Sequence, residues 1–168
     1  MKHIILIGFM GCGKSRVGRQ LAQELQLPFE DMDAQIVKEA KMPITKIFEE
    51  YGEEYFRKLE SKVLRELLMA KERTVISSGG GMPIQERNHM DMKERAMVVY
   101  LNVPTKVLMK RLRGDKTRPI LQGGNLHEKI TTLRAKRDPI YEKVSDITIK
   151  TGDKSVDEVI AQIKERLC

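Results

Sequence analysis

The stretch that most constrains this chain is Gly8-Phe9-Met10-Gly11-Cys12-Gly13-Lys14-Ser15, placed directly after the apolar run Ile4 to Ile7. Glycine, any four residues, then Gly-Lys-Ser is a phosphate-cradling pattern, and each of its parts has a physical task. Glycines let the backbone turn tightly, so that successive N–H groups converge on phosphate oxygens. Lys14 reaches the outer phosphates as a point charge, and the Ser15 hydroxyl is a hard oxygen donor suited to Mg²⁺. Arg16 to Leu25 reads as a helix whose N-terminus adds its dipole to the same anion site. A ligand-free glycine turn is the competing explanation. A buried strand before the loop and a helix after it favour a binder of ATP or GTP.

Composition narrows the class. A chain of 168 residues has the size of one domain and buries about two thirds of its unfolded surface. Met1-Lys2 and the apolar run after it resemble the start of a signal peptide, but the run dissolves into glycines and Lys14 with no cleavage site. No stretch reaches the length of a membrane span. The two cysteines, Cys12 and Cys168, make no disulfide framework, and a reducing cytoplasm is expected. Between Lys106 and Lys143 there are eleven Lys and Arg against four acids, which accounts for the whole net charge of +7. Such a field suits an anionic ligand. Nucleic acid is disfavoured, because Tyr141 is the only aromatic residue there and offers no platform for stacked bases.

Ile4 to Ile7 predicts a strand buried on both faces, and His3 before it reads as a strand-edge residue without chemistry. Pro28-Phe29-Glu30-Asp31-Met32-Asp33 predicts a second strand ending in two carboxylates. Alternation puts Asp31 and Asp33 on one side of an extended backbone, at the strand end where parallel sheets bind ligands. One acid then holds Mg²⁺ or its water and the other orients an acceptor hydroxyl; the alternative is that one merely caps a helix beginning near Ala34. Pro43 to Tyr51 reads as a short helix stopped at Gly52, and Glu53 to Ala70 as a longer one with Phe56, Leu59, Val63 and Leu67 as its buried stripe. Beside that stripe, Arg57 and Glu60 have the spacing of a surface ion pair contributing about 0.2–0.5 kcal/mol.

Thr74 to Ser78 predicts a third strand running into Gly79-Gly80-Gly81, a backbone surface open to close approach or else a flexible turn. Met97 to Asn102 predicts the fourth strand, and Pro104 opens the helix that carries Lys110, Arg111 and Arg113 near its end. Residues 113–125, polar and glycine-punctuated around Thr117-Arg118-Pro119-Ile120-Leu121, read as a mobile lid. Leu126 to Lys143 is expected to be helical but ended or bent by Pro139. Asp146 to Lys150 predicts the fifth strand. Ser155 with Glu158 forms a capping box for a last helix that reads as structural. The alternation predicts an α/β fold of three layers, a five-stranded parallel sheet flanked by helices in a single domain.

Taken in order, Gly8 to Ser15, Asp31-Met32-Asp33, Phe56-Arg57-Lys58-Leu59-Glu60, Ser78-Gly79-Gly80-Gly81, Thr117-Arg118-Pro119-Ile120-Leu121 and Arg137-Asp138-Pro139-Ile140-Tyr141 resemble the motif series of shikimate kinases. These are small P-loop kinases, and the resemblance covers nearly the whole chain. It implies transfer of the γ-phosphoryl group of ATP to the 3-hydroxyl of shikimate, with Mg²⁺ required. Gly11, Cys12, Gly13, Lys14, Ser15 and Arg16 would hold ATP, Arg111 would stack near adenine, and Arg118 would close over the phosphates. Ser15 and Asp31 would hold the metal, the latter through water. Asp33 would serve the acceptor hydroxyl as base or orienter, forming the catalytic set with Lys14 and Arg118. Arg57 and Arg137 would take the shikimate carboxylate, Gly79, Gly80 and Gly81 would fix the substrate through their backbone, and Glu60 would position Arg57 and the ring hydroxyls. The expected molecule is a cytoplasmic monomer with small-molecule partners, binding neither nucleic acid nor membrane.

The residue chemistry agrees with these roles. Phosphoryl transfer spreads negative charge in its transition state, so cations around the phosphates matter more than a strong base. A planar guanidinium matches a planar carboxylate bidentately. Two other readings remain open on the sequence: a gluconate-type or nucleoside monophosphate kinase on the same scaffold, and a nucleotide-dependent switch that transfers nothing. No Asn-Lys-x-Asp guanine reader is present to support a GTPase switch. Cys12, at a helix N-terminus, is expected either to be alkylated with loss of ATP binding or to be a buried inert thiol.

Overall fold

The computed structural model describes residues 1–115, 121 and 123–168. Five strands, all parallel, lie in the order β2-β3-β1-β4-β5. They are β1 (His3–Ile7), β2 (Phe29–Asp31), β3 (Val75–Ser77), β4 (Ala96–Asn102) and β5 (Ile147–Lys150). β1 is central, with Ile4 opposite Val75 on one side and Met97 on the other, and all five of its residues are buried. A strand covered by helices on both faces has no solvent side, which explains a continuous apolar run instead of an alternating one. Parallel pairing also brings every strand's C-terminal end to one edge, and the phosphate-cradling loop leaves from the middle of that edge.

Helix α1 (Lys14–Leu25) follows the loop and buries Val17, Leu21 and Ala22. Its Gly18 approaches so closely that an added Cβ would lie 2.6 Å from the Phe29 ring. The second strand is shorter than expected. It ends at Asp31, and α2 (Met32–Ala40) begins at once, so Asp33 sits in a first helical turn and not on extended backbone. Asp31, at φ −101° and ψ 118°, is the N-cap and accepts a hydrogen bond from the Ala34 amide. An aspartate at this position satisfies an otherwise orphaned N–H, and a second acid in the first turn suits the helix dipole.

α3 (Ile44–Met69) is two helical arms joined at Gly52, whose φ of 83° and ψ of 173° break the helix where the sequence predicts a stop. The second arm buries Phe56, Arg57, Glu60, Val63 and Leu64. A short 3-10 turn at Glu86–Asn88 and α4 (His89–Arg95) were not read from the sequence; only Asn88 and Met92 of this segment are buried, so no apolar stripe announces it. α5 (Thr105–Leu112) follows β4, and α6 (Leu126–Val144) runs on through Pro139, so the proline does not end it. α7 (Val156–Leu167) begins at the expected cap, where Ser155 Oγ accepts from the Glu158 amide.

His3 is not at an exposed edge. It is buried, with the Thr74 amide donating to Nδ1 at 3.2 Å. The ring hydrogen of the neutral imidazole therefore sits on Nε2, which donates to the Leu68 carbonyl at 3.1 Å. The ring ties the start of β1 to the end of α3 and the entry to β3. Among the described residues no helix is long and apolar enough to cross a membrane. Of the expected lid, residues 116–120 and 122, with Arg118 among them, lie outside the described residues.

Candidate active site

At the open edge of the sheet, the loop after β1 and the N-terminus of α1 form one wall of a cleft of about 390 Å³. Gly13, at φ 91°, turns the chain into α1. The Lys14 side chain lies across the loop, its Nζ donating to the carbonyls of Gly8 at 2.8 Å and Phe9 at 3.1 Å, so the ammonium is fixed at the mouth of the amide cradle. Gly11, Gly13, Ser15 and Arg16 line the same cleft. From the end of α5, Arg111 reaches the loop and donates from Nη1 to the Gly11 carbonyl at 3.0 Å. Cys12 is buried, with its sulfur close to Gly8 and 3.6 Å from Lys14 Nζ.

Ser15 Oγ donates to Asp31 Oδ2 at 2.8 Å and lies 3.2 Å from Ser77 Oγ. Asp31 therefore caps α2 with one carboxylate oxygen, as the capping alternative has it, and reaches the P-loop serine with the other. Ser77 was missed by the sequence reasoning. It is the last residue of β3, in register with Asp31 on one side and Leu6 on the other, a position that shows only once the strand order is known. The three side chains supply oxygens alone. Among the described residues no group of three His, Cys, Asp or Glu could hold a metal, and a lone carboxylate with hydroxyls fits Mg²⁺, which keeps waters and shares phosphate oxygens.

The opposite wall is the glycine turn after β3, and its three glycines bring the remaining charged residues together. A Cβ at Gly79 would come within 3.1 Å of both Asp33 Oδ1 and Glu60 Oε2. One at Gly80 would lie 3.2 Å from Arg137 Nη1 and 3.3 Å from the Met10 amide nitrogen, and one at Gly81 would overlap the Arg57 guanidinium. The turn is thus a strip of bare backbone ringed by two carboxylates and two guanidinium groups, and it touches the P-loop at Met10. Close approach, more than flexibility, is why all three positions lack a side chain.

Arg57 and Glu60 are far from the exposed pair that their spacing suggested. Both are buried, with Nη1 donating to Glu60 Oε1 at 2.9 Å and Nη2 reaching Glu53 Oε1 at 3.4 Å. The helix alone cannot reveal this burial, which comes from the glycine turn lying over α3. Desolvation pushes the Glu60 carboxyl up to about 7, opposed by Arg57, reinforced by Asp33 and opposed again by Arg137. Among the described residues, three buried side-chain atoms have no hydrogen-bond partner: Arg57 Nε, Ser78 Oγ and Arg137 Nη1. All three belong to residues at this turn. Leaving one buried donor unsatisfied costs about 1–3 kcal/mol, so a cluster of them marks a surface built to receive acceptors.

A protein-family model described as shikimate kinase matches residues 10–168. The chain belongs to the shikimate kinase family. It is 41% identical to a shikimate kinase of Geobacter sulfurreducens over 162 residues, which span 96% of this chain and 88% of that one. Its fold superposes on a shikimate kinase from Acinetobacter baumannii, solved in complex with shikimate, with a TM-score of 0.95 at 37% identity, covering 99% of this chain and 93% of the other. A gluconokinase from Sinorhizobium meliloti superposes with a TM-score of 0.61 at 18% identity, a likeness of fold alone.

One further wall of the cleft escaped the sequence reading of this shikimate kinase family member. Thr151, Gly152 and Lys154, between β5 and α7, line it together with Val156 and Val159 of α7. The end of the chain that read as structural therefore also faces the P-loop. No motif announces it, since the segment carries neither a glycine run nor a carboxylate pair.

Proposed function

We infer that this protein is an ATP-dependent small-molecule kinase, a shikimate kinase that transfers the γ-phosphoryl group of ATP to the 3-hydroxyl of shikimate. The products are shikimate 3-phosphate and ADP, in the pathway to chorismate and the aromatic amino acids. The observation that carries the reading is the glycine turn, where Asp33, Glu60, Arg137 and Arg57 converge beside the P-loop. Arg57 and Arg137 grip the substrate carboxylate, because unsatisfied buried guanidinium N–H groups gain most from a charged planar acceptor. The glycine backbone lets the ring lie close. Asp33, beside Gly79, accepts a hydrogen bond from the reacting hydroxyl and holds or takes its proton as the new P–O bond forms. Glu60 keeps Arg57 in place and reaches the ring hydroxyls.

On the nucleotide side, the amides of Gly11, Cys12 and Gly13 cradle the phosphates, Lys14 and Arg16 add charge, and Arg111 borders the base. Ser15 and, through water, Asp31 would hold Mg²⁺, which would supply charge neutralisation at the phosphates. Arg118 closes over the phosphates from a lid at residues 113–125, a role that rests on the family resemblance. The protein acts as a single-domain monomer in the cytoplasm, and sedimentation of the purified protein at micromolar concentration tests the monomer.

The decisive assay follows ADP release with shikimate, gluconate and AMP supplied separately. Turnover with shikimate is expected. Turnover with gluconate or AMP and none with shikimate would overturn the reading.

A further inference from the structure

Helix α6 meets the glycine turn through two side chains one helical turn apart. Arg137 places Nη1 over Gly80, where an added Cβ would lie 3.2 Å away. Four residues later on the same face, the Tyr141 hydroxyl donates to the Gly80 carbonyl at 2.6 Å. Tyr141 is fully buried. Burial pushes its hydroxyl pKa up, so it remains a neutral donor. Its ring packs on Tyr100 of β4, with centroids 5.2 Å apart.

The same face of α6 is fastened to the sheet independently. The Tyr100 hydroxyl donates to Asp138 Oδ1 at 3.3 Å, and Asp138 pairs with Arg134 at 2.9 Å. Arg134 donates in turn to the Val103 carbonyl, Asn102 Oδ1 and Thr105 Oγ1. The helix is therefore anchored to the end of β4 whether or not Tyr141 carries its hydroxyl. What that hydroxyl adds is a hydrogen bond to the carbonyl of the middle glycine, made beside the Arg137 side chain with which it also interacts. A peptide unit is planar, so holding the Gly80 oxygen also sets the direction of the Gly81 N–H beside Arg57. Three successive glycines have the largest backbone freedom to lose, and one strong hydrogen bond removes much of it.

We propose that Tyr141 is a positioning residue for the acid-binding half of the site, its hydroxyl holding the Gly80–Gly81 peptide in the orientation that, with Arg57 and Arg137, receives the shikimate carboxylate. Tyr141 touches no reacting atom. It acts through the backbone of the glycine turn, and Arg137 and Tyr141 together make α6 and that turn one unit. The proposal rests on the shikimate reading above.

The test is Tyr141→Phe, assayed by steady-state kinetics in both substrates. Loss of one hydrogen bond to a buried carbonyl is expected to raise the KM for shikimate about tenfold, with the KM for MgATP within about twofold and kcat within about threefold. A comparator, Ile163→Val in the buried face of α7, loses one methylene at a residue that does not line the cleft, and the Tm of both variants is measured. It is expected to move neither KM. Equal changes in both KM values for Tyr141→Phe, an unchanged KM for shikimate, or the same split in Ile163→Val would each overturn the proposal. Wild-type protein that fails to phosphorylate shikimate would instead overturn the function on which it rests.

Discussion

Asp33 Oδ1 lies beside the backbone of Gly79, in the half of the cleft proposed for the acceptor, whereas the amides and Lys14 proposed for the phosphates belong to the P-loop. Removing its charge should therefore separate chemistry from nucleotide binding. Asp33→Asn is expected to lower kcat by about a hundredfold or more, the range of a general base, with the affinity for ATP measured by calorimetry changing less than twofold. A glycine gives the complementary test. In Gly81→Ala the new methyl group takes the space of the Arg57 guanidinium, which is the far end of a side chain and can move, whereas the backbone stays. The variant should fold with nearly wild-type Tm yet lose shikimate affinity by about tenfold or more, as expected when a charge-assisted hydrogen bond is lost. Titration of shikimate against tryptophan-free protein by calorimetry reads this directly.

Among the elements, α3 carries the clearest backbone requirement. Gly52 joins its two arms at a φ that other residues rarely adopt, and no atom lies within 4 Å of where its Cβ would be. Gly52→Ala is thus a test of conformation free of steric overlap, and urea unfolding should show a loss of about 1–3 kcal/mol. This break was legible in the sequence because glycine between two apolar-periodic stretches is a local signal. So was β1, whose four consecutive buried aliphatics admit few other readings. The boundary of β2 was not, because a strand pattern and an N-cap compete at Asp31 and the cap wins by satisfying an N–H of the helix. Asp33 still reached the cleft, by a helical turn and not by strand alternation. α4 stayed hidden for want of an apolar stripe, and Pro139 was overrated as a stop: α6 runs on through it, with Arg134 and Asp138 tethered before it and Tyr141 after it. In the site, the P-loop and the glycine run were legible as local patterns. The burial of Arg57 with Glu60, the place of Ser77 and the wall at Thr151 to Lys154 were not, since each arises from segments meeting that are far apart in the chain.

For the molecule as a whole, Glu60 links the site to stability. Its carboxyl is raised from 4.5 to about 7 in the folded protein, chiefly by burial. Between those pH values the native state holds more protons than the unfolded state, so this group's contribution is greatest below pH 4.5 and is lost as pH rises to about 7. The full loss is about 3 kcal/mol. The stability of wild-type protein minus that of Glu60→Gln, from urea unfolding, should therefore fall between pH 5 and 7 and level off above; a flat difference would count against the burial of an ionisable carboxyl there.

The strand order has a last consequence, for the protein as it is made. Ile4, the second residue of the central strand, pairs with Val75 and Met97, so neither neighbour exists when the P-loop leaves the ribosome. Until β3 emerges, this aliphatic run waits in the nascent chain with both hydrogen-bonding edges open, and one edge stays open until β4 follows.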